Sequence, residues 1–337
     1  MFSRTQDEIT RKWAPGDTRL ASVVCTTYNH QRHISQALDS FLAQTTRFPF
    51  EIIVHDDAST DKTSEIIKAY ALEYPGIIKP ILQPENLYSR GGFKPAIHAS
   101  KCSMGEYVAL CEGDDYWVDP NKLQLQVSSL EANPEVDFSF HAAYILRADS
   151  EDMEVSWDYG ERRLLYLDSL LNARIGSFAP TSSYMFRRRL LDELPEWFQI
   201  EAPVGDFFIE RYGALRGGAT YFREPMSVYR DLSRGSWTLN IRDNEQAYRH
   251  YLEGMCRCLE LMEADFSGFS EVYRKFCSRF YLKYALEELF RNEYTGFRDL
   301  VQRSVDQYKY VSRKQMLAYR LRAFPVLVRS IINSRRR

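Results

Sequence analysis

The sequence predicts an α/β protein with a Rossmann-like, mostly parallel central sheet, helices on both faces and a helical appendage at its end. Three observations carry this prediction. From Ala21 to about Asn133, short β-rich runs alternate with stretches of helical periodicity. The strand runs are continuously apolar, the mark of parallel strands buried on both faces. Beyond about Thr238 strand signals vanish, and residues 246–337 read as helices rich in Leu, Tyr and Arg.

In order, ASVVCTTY precedes the helix HISQALDSFLAQ, EIIVHDD precedes TSEIIKAYALEY, IIKPILQ precedes PAIHASKC, and YVALCEGDD precedes PNKLQLQVSSLEAN. Asp61 is expected to cap the helix carrying Ile66 and Ile67, and Asp119-Pro120 to supply a cap followed by proline at the first helical position. Past Asn133 the order is mixed. Strands are expected at VDFSFHAAYIL, SYMFR and MSVYR, with a polar insertion near 148–163 and a helix at DFFIERYGAL. These signals divide the chain into an N-terminal extension (1–19), a main domain (20–240, in halves 20–135 and 136–240) and a helical region (241–337).

A chain of 337 residues that is 45% hydrophobic and 14% aromatic can bury a large core. Its 44 basic and 46 acidic side chains leave a net charge of −2, so the overall balance makes no case for a nucleic-acid partner. The polar start, MFSRTQDEITRKWAPGD, lacks the apolar core of a signal peptide, and no run of eighteen apolar residues occurs, so a cytoplasmic location is expected. The six cysteines form no C-x-x-C pair and no zinc-type spacing, and read as reduced core or helix residues.

In open parallel sheets ligands bind at the carboxyl ends of the strands. Both acidic clusters, Asp56-Asp57 and Glu112, Asp114 and Asp115 in YVALCEGDDYW, fall at such ends. Crowded carboxylates repel, and a cation relieves them. The first strand-to-helix turn, TTYNHQRH, has no glycine, and neither G-x-G-x-x-G nor G-x-x-x-x-G-K-[ST] follows any strand. A phosphate-bearing ligand would therefore need a divalent cation held by the acids.

The combination of SVVCTTYN, Gln44, EIIVHDDASTD, Asn86, GEYVALCEGDDYW and KLQLQ resembles the nucleotide-sugar half of glycosyltransferase family 2, inverting enzymes of the GT-A fold, over about residues 20–135. The resemblance implies that Thr27, Tyr28 and Asn29 line the base and ribose pocket and that Asp57, with Asp56, contacts the nucleoside. It implies that Asp114 ligates a Mn²⁺ or Mg²⁺ ion bridging the diphosphate, with Glu112 near the ribose and Asp115 beside the donor sugar. Glu112 stands where the family usually has Asp. Lys94 and His98 fall where the family often has a cation near the nucleotide; a solvated lysine and a half-buried helical histidine are the alternatives. His30 and His33 have no paired acid at ligand spacing and read as turn or helix-face residues.

The family's general base lies at a helix start in the second half, which points to Asp206 in APVGDFFIERYGAL, also a plausible cap for that helix. Asp231, in VYRDLSRGSW, is the competing candidate. Arg230, Arg234 and Trp237 in that segment either hold the diphosphate or stack on a sugar, or are plain strand and loop residues. The Q-x-x-R-W motif of processive members is absent.

The expected function is metal-dependent, inverting transfer from a nucleotide-diphosphate sugar, foremost a UDP-sugar, to a saccharide or lipid-linked saccharide. The alternatives are a non-catalytic nucleotide-sugar or carbohydrate-binding protein and a sugar-phosphate nucleotidyltransferase. In residues 316–337, Leu317, Leu321, Phe324, Val328, Ile331 and Ile332 recur at helical spacing among arginines. That pattern suits either peripheral contact with the cytoplasmic face of a membrane or packing on the helical appendage, and Pro325 interrupts it.

Overall fold

The computed structural model describes residues 4–17, 20–92, 94–147, 152–231, 241 and 243–334. The chain forms two compact units, Met1–Leu167 with Ser177–Tyr251, and Asp168–Gly176 with Leu252–Arg337.

The first unit is built on one mixed sheet. Its strands are β1 (Ala21–Thr27), β2 (Phe50–Asp56), β3 (Ile78–Leu82), β4 (Tyr107–Glu112), β5 (Tyr116–Trp117), β6 (Phe138–Arg147), β7 (Met153–Ser156), β8 (Leu164–Leu165), β9 (Met185–Arg187) and β10 (Ala219–Asp231). The order is β3-β2-β1-β4-β9-β6-β10-β5, with β7 against β6 and β8 against β10. β3, β2, β1 and β4 are mutually parallel, as their apolar runs predict. Every residue of β2 is buried, because helices cover both faces. The chain winds outward from β1 to β2 and β3, then returns to place β4 on the other side of β1. This reversal opens a crevice at the carboxyl ends of β1 and β4. There the register sets Thr26 opposite Glu112.

β9 enters antiparallel between β4 and β6, and β10 returns parallel to β6. β10 begins at Ala219, well before the expected MSVYR, and its pairing shifts between Phe222 and Ser227. Proline at 225 cannot donate to a ladder, so the strand bulges there and resumes.

Two expected caps are displaced. The helix Thr63–Glu73 has Lys62 at its N-cap, while Asp61 Oδ1 accepts from the Thr63 amide at 2.9 Å. The helix Lys122–Ala132 starts after Asn121, whose amide donates to Asp119 at 2.7 Å. In both cases the aspartate organises a turn just ahead of the helix.

The second unit contains the helices Ser270–Arg291, Tyr294–Gln307, Arg313–Arg320 and Pro325–Ser334. Asn292, left-handed at φ 67°, ends the first of these. Gln315 fixes the third by donating to Ser278 Oγ at 3.0 Å and the Tyr308 carbonyl at 2.8 Å. Pro325 separates the last two helices as expected, and the apolar pattern of 316–337 is divided. Val328 and Ile332 are buried, Leu317, Leu321 and Ile331 are half-buried, and Phe324 is exposed. Among the described residues no helix is long and apolar enough to cross a membrane. All six cysteines are free thiols, and only Cys102 is exposed.

Candidate active site

The acidic cluster is assembled at the crevice between β1 and β4. β4 ends at Glu112, and Gly113 turns the chain so that its amide donates to the Thr26 carbonyl at 2.9 Å. A Cβ at position 113 would stand 2.9 Å from Thr27 Cβ and Oγ1 and 3.1 Å from His30 Nδ1, so only glycine lets the two strand ends close. Asp114 is thereby brought to 3.9 Å from His30 Nε2. His30, read from the sequence as a turn residue without an acid partner, faces an acid supplied by another strand.

Buried oxygens without a protein partner mark this site. Glu112 Oε2, Asp115 Oδ2 and Thr27 Oγ1 are all in this state. Burial, followed by the charge of Asp114, pushes the Glu112 carboxyl up to about 8. Burial and then the neighbouring Asp114 and Glu112 hold Asp115 well above the usual carboxylate range. These are the energetics of acids arranged for a positive partner. Among the described residues no three His, Cys, Asp or Glu side chains form a ready-made metal cage. A divalent ion would instead take few protein ligands and complete its shell with ligand oxygens, as Mg²⁺ commonly does with phosphates.

Arg230, near the end of β10, clasps the cluster from the other side. Its amide donates to Asp115 Oδ1 at 2.8 Å and its guanidinium to the Asp114 carbonyl and to Gln36 Oε1, the latter at 2.6 Å. The same guanidinium lies 4.8 Å from the Tyr116 ring. Asp231, the next residue, is half-buried, and its charge helps raise the Tyr229 phenol after burial and the charges of Asp115 and Glu112. Arg234 and Trp237 lie outside the described residues.

Asp206 is the first residue of the helix Asp206–Gly213, whose N-cap is Gly205, so it is not itself the cap. Ser177 Oγ donates to its Oδ2 at 3.2 Å. Its charge acts on Glu112, Tyr184 and Glu210, so it lies within electrostatic reach of the acidic cluster.

The residues expected at the nucleoside have the following partners within the protein. Asp56 accepts from Ser59 and from Ser64, the latter at 2.6 Å. Asp57 accepts from the amides of Leu87 and Tyr88, both at 3.0 Å. Both are buried, and through these bonds they organise the adjoining loops. Asn29, left-handed at φ 58°, ties its Oδ1 to the Thr60 amide at 2.8 Å, whereas Tyr28 is open to solvent. Lys94 donates to the Gln199 carbonyl at 3.0 Å and lies over Phe198, and His98 meets the buried His55 edge-on. Those partners anchor the helix Pro95–Cys102.

Two residues passed over in the sequence matter here. Glu210 is fully buried and accepts from the amides of Phe178 and Ala179 and from the Tyr184 hydroxyl. Lys122 is fully buried, 2.7 Å from Gln126 Oε1 and 4.2 Å from the Trp117 ring centroid, and burial pushes its ammonium down to about 7. Trp117 is consequently a core residue, its indole donating to the Ser182 carbonyl at 2.8 Å. The hollow of about 260 Å³ lined by Glu106 and Arg187–Arg189 lies at the opposite end of β4 and plays no part in this crevice.

Comparison with known proteins identifies the family. The family model described as Glycosyl transferase family 2 matches residues 22–194, which include β1, β4 and the whole acidic cluster. The chain belongs to glycosyltransferase family 2. It is 39% identical over 247 residues to an uncharacterized protein of Mycobacterium tuberculosis, Rv1520, covering 72% of this chain and 67% of that one. It is 34% identical over 128 residues to WfaP of Escherichia coli, a UDP-Glc:alpha-D-GlcNAc-diphosphoundecaprenol beta-1,3-glucosyltransferase, covering 37% of this chain and 47% of WfaP. Among solved structures, S. aureus TarS 1-349 in complex with UDP-GlcNAc superposes with a TM-score of 0.60 at 20% identity, over 92% of this chain and 87% of that one. That likeness is one of fold, and the fold is GT-A.

Proposed function

We propose that this chain is a metal-dependent, inverting glycosyltransferase that moves a sugar from a UDP-sugar to a hydroxyl of a saccharide or lipid-linked saccharide in the synthesis of a surface polysaccharide. The observation that carries the reading is the set of buried, unpartnered oxygens of Glu112, Asp115 and Thr27 beside Asp114, within electrostatic reach of Asp206. The donor class and the lipid-linked acceptor are supported by the activity named for WfaP.

Thr27 and Tyr28 line the nucleotide, while Asp57 shapes the pocket through the Leu87 and Tyr88 amides. Asp115, steered by the Arg230 amide, lies beside the donor sugar. Mn²⁺ or Mg²⁺ would be held by Asp114 together with diphosphate oxygens, and would neutralise the negative charge that builds on the departing diphosphate. Asp206 takes the proton of the acceptor hydroxyl. The acceptor oxygen bonds to the anomeric carbon as the bond to the diphosphate oxygen breaks, and that oxygen keeps the electron pair. Attack comes from the face opposite the nucleotide, so the configuration inverts. Being first in its helix, Asp206 acts as a base through position, with the Ser177 hydroxyl orienting it.

The test is release of UDP from UDP-sugars, with and without an acceptor extract, in Mn²⁺ and in EDTA. The reading predicts UDP release in Mn²⁺ that the acceptor stimulates and Asp206→Asn suppresses. A protein that binds the nucleotide sugar without ever releasing UDP is a binding protein.

A further inference from the structure

We infer that the corner between the helices Arg313–Arg320 and Pro325–Ser334 is a docking surface for an anionic lipid bilayer. Two independent observations meet there.

The first is apolar exposure. Phe324, Val326 and Leu327 are 63%, 65% and 49% exposed, although each is a residue that folding normally covers. They are not the inner side of the helix: Val328 and Ile332, next in the same element, are buried in their own unit. The backbone presents them firmly. The Phe324 amide donates to the Leu321 carbonyl at 2.8 Å, Pro325 begins the next helix, and the Val328 amide returns to the Phe324 carbonyl at 3.1 Å. The result is a hydrogen-bonded turn with three exposed apolar side chains.

The second is charge. The sequence from Lys309 onward carries nine Lys or Arg side chains and no Asp or Glu, in a chain whose net charge is −2. Arg320 is exposed at the end of the helix that leads into the corner, Arg322 and Arg329, half-buried, flank the corner in sequence, and Lys309, Arg313 and Lys314 are exposed toward the other end of that helix. The cations before the corner are not consumed by acids of their own segment, because that segment has none. An apolar wedge among cations fits a surface that offers hydrocarbon beneath a layer of negative charge. A bilayer with anionic headgroups offers both, whereas a nucleic acid or an acidic protein offers the charge without the shallow hydrocarbon. This surface does not depend on the proposed transfer reaction, and it would bring the enzyme to the place where a lipid-linked acceptor resides.

The experiment uses the full chain and sedimentation with vesicles of phosphatidylglycerol and phosphatidylcholine, or of phosphatidylcholine alone. The wild type is expected to pellet with the anionic vesicles and remain in the supernatant with the neutral ones, and to release as salt rises. A triple Phe324→Ser, Val326→Ser, Leu327→Ser variant, altering only exposed side chains, is expected to lose affinity at least tenfold while keeping its melting temperature. An Arg313→Gln, Lys314→Gln, Arg320→Gln variant is expected to lose the preference for anionic lipid. Wild type left in the supernatant with anionic vesicles overturns the inference, as does undiminished binding by the serine variant. Self-association that is abolished by the same serine changes, seen in sedimentation velocity, would assign the corner to a second copy of the chain and overturn it equally. Loss of membrane binding with UDP release intact would leave the proposed activity untouched.

Discussion

Glu210 lies one helical turn beyond Asp206 and turns both carboxylate oxygens to the amide of Phe178, 3.0 Å from each. It also pairs with Arg211 at 2.5 Å, and both side chains are wholly buried. The segment it grips carries Ser177, which donates to Asp206. One buried acid therefore sets the loop that orders the proposed base.

Glu210→Gln keeps the size of the side chain but offers the loop amides a poorer acceptor and leaves Arg211 without its charge partner. We expect kcat to fall by about tenfold, through misplacement of Asp206, with little change in UDP affinity. Ser177→Ala should show the same pattern more weakly. Steady-state kinetics with UDP titration checks this; an equal loss of nucleotide affinity would place the effect on the donor side.

For Asp206→Asn the expected result is nearly normal donor binding with turnover lowered by roughly a hundredfold or more, as for loss of a positioned base. Asp231→Asn is the control. If Asp231→Asn loses turnover and Asp206→Asn does not, the base belongs to β10.

Arg230→Met removes the guanidinium that donates to the Asp114 carbonyl and to Gln36, while the backbone contact to Asp115 survives. With the acid loop freed on one side, we expect UDP affinity in Mn²⁺ to drop by about tenfold, equivalent to about 1.4 kcal/mol. Arg230→Lys should recover little of it, since a lysine cannot span both acceptors as a planar fork. Calorimetric titration decides.

Much of the crevice was legible because its signals are local. Continuous apolar runs identify β1, β2 and β4 without a choice of register, and acids at their ends mark the ligand edge. What was not legible depends on distant partners. His30 and Asp114 lie in the turns that follow different strands and meet only because β1 and β4 are neighbours. That Asp57 also accepts from the Leu87 and Tyr88 amides depends on a loop well beyond its own strand. Glu210 follows three apolar positions of a helix and looks like an ordinary surface acid, but loop 177–184 folds over it. The start of β10 was hidden because Arg223-Glu224-Pro225 breaks the strand pattern where the pairing shifts.

Lys122 gives a pH signature. Its folded ammonium titrates at about 7 against an ordinary value of 10.5. Between these values the unfolded chain binds a proton that the folded chain lacks, so this group makes stability rise with pH across that window and is constant in its effect on either side. Relative to Lys122→Met, the wild type should gain stability from pH 7 to 10. Denaturant melts of both proteins across the range check this; a flat difference would mean that Lys122 remains charged in the core.

The most direct test of the central claim is calorimetric titration of UDP into wild type and Asp114→Ala, each in Mn²⁺ and in EDTA. With no glycine-rich loop to cradle phosphates, the account predicts that wild type binds UDP at least tenfold more tightly in Mn²⁺ than in EDTA, and that Asp114→Ala erases the difference. Equal affinity of the wild type in Mn²⁺ and EDTA, or a metal effect that survives Asp114→Ala, would contradict it.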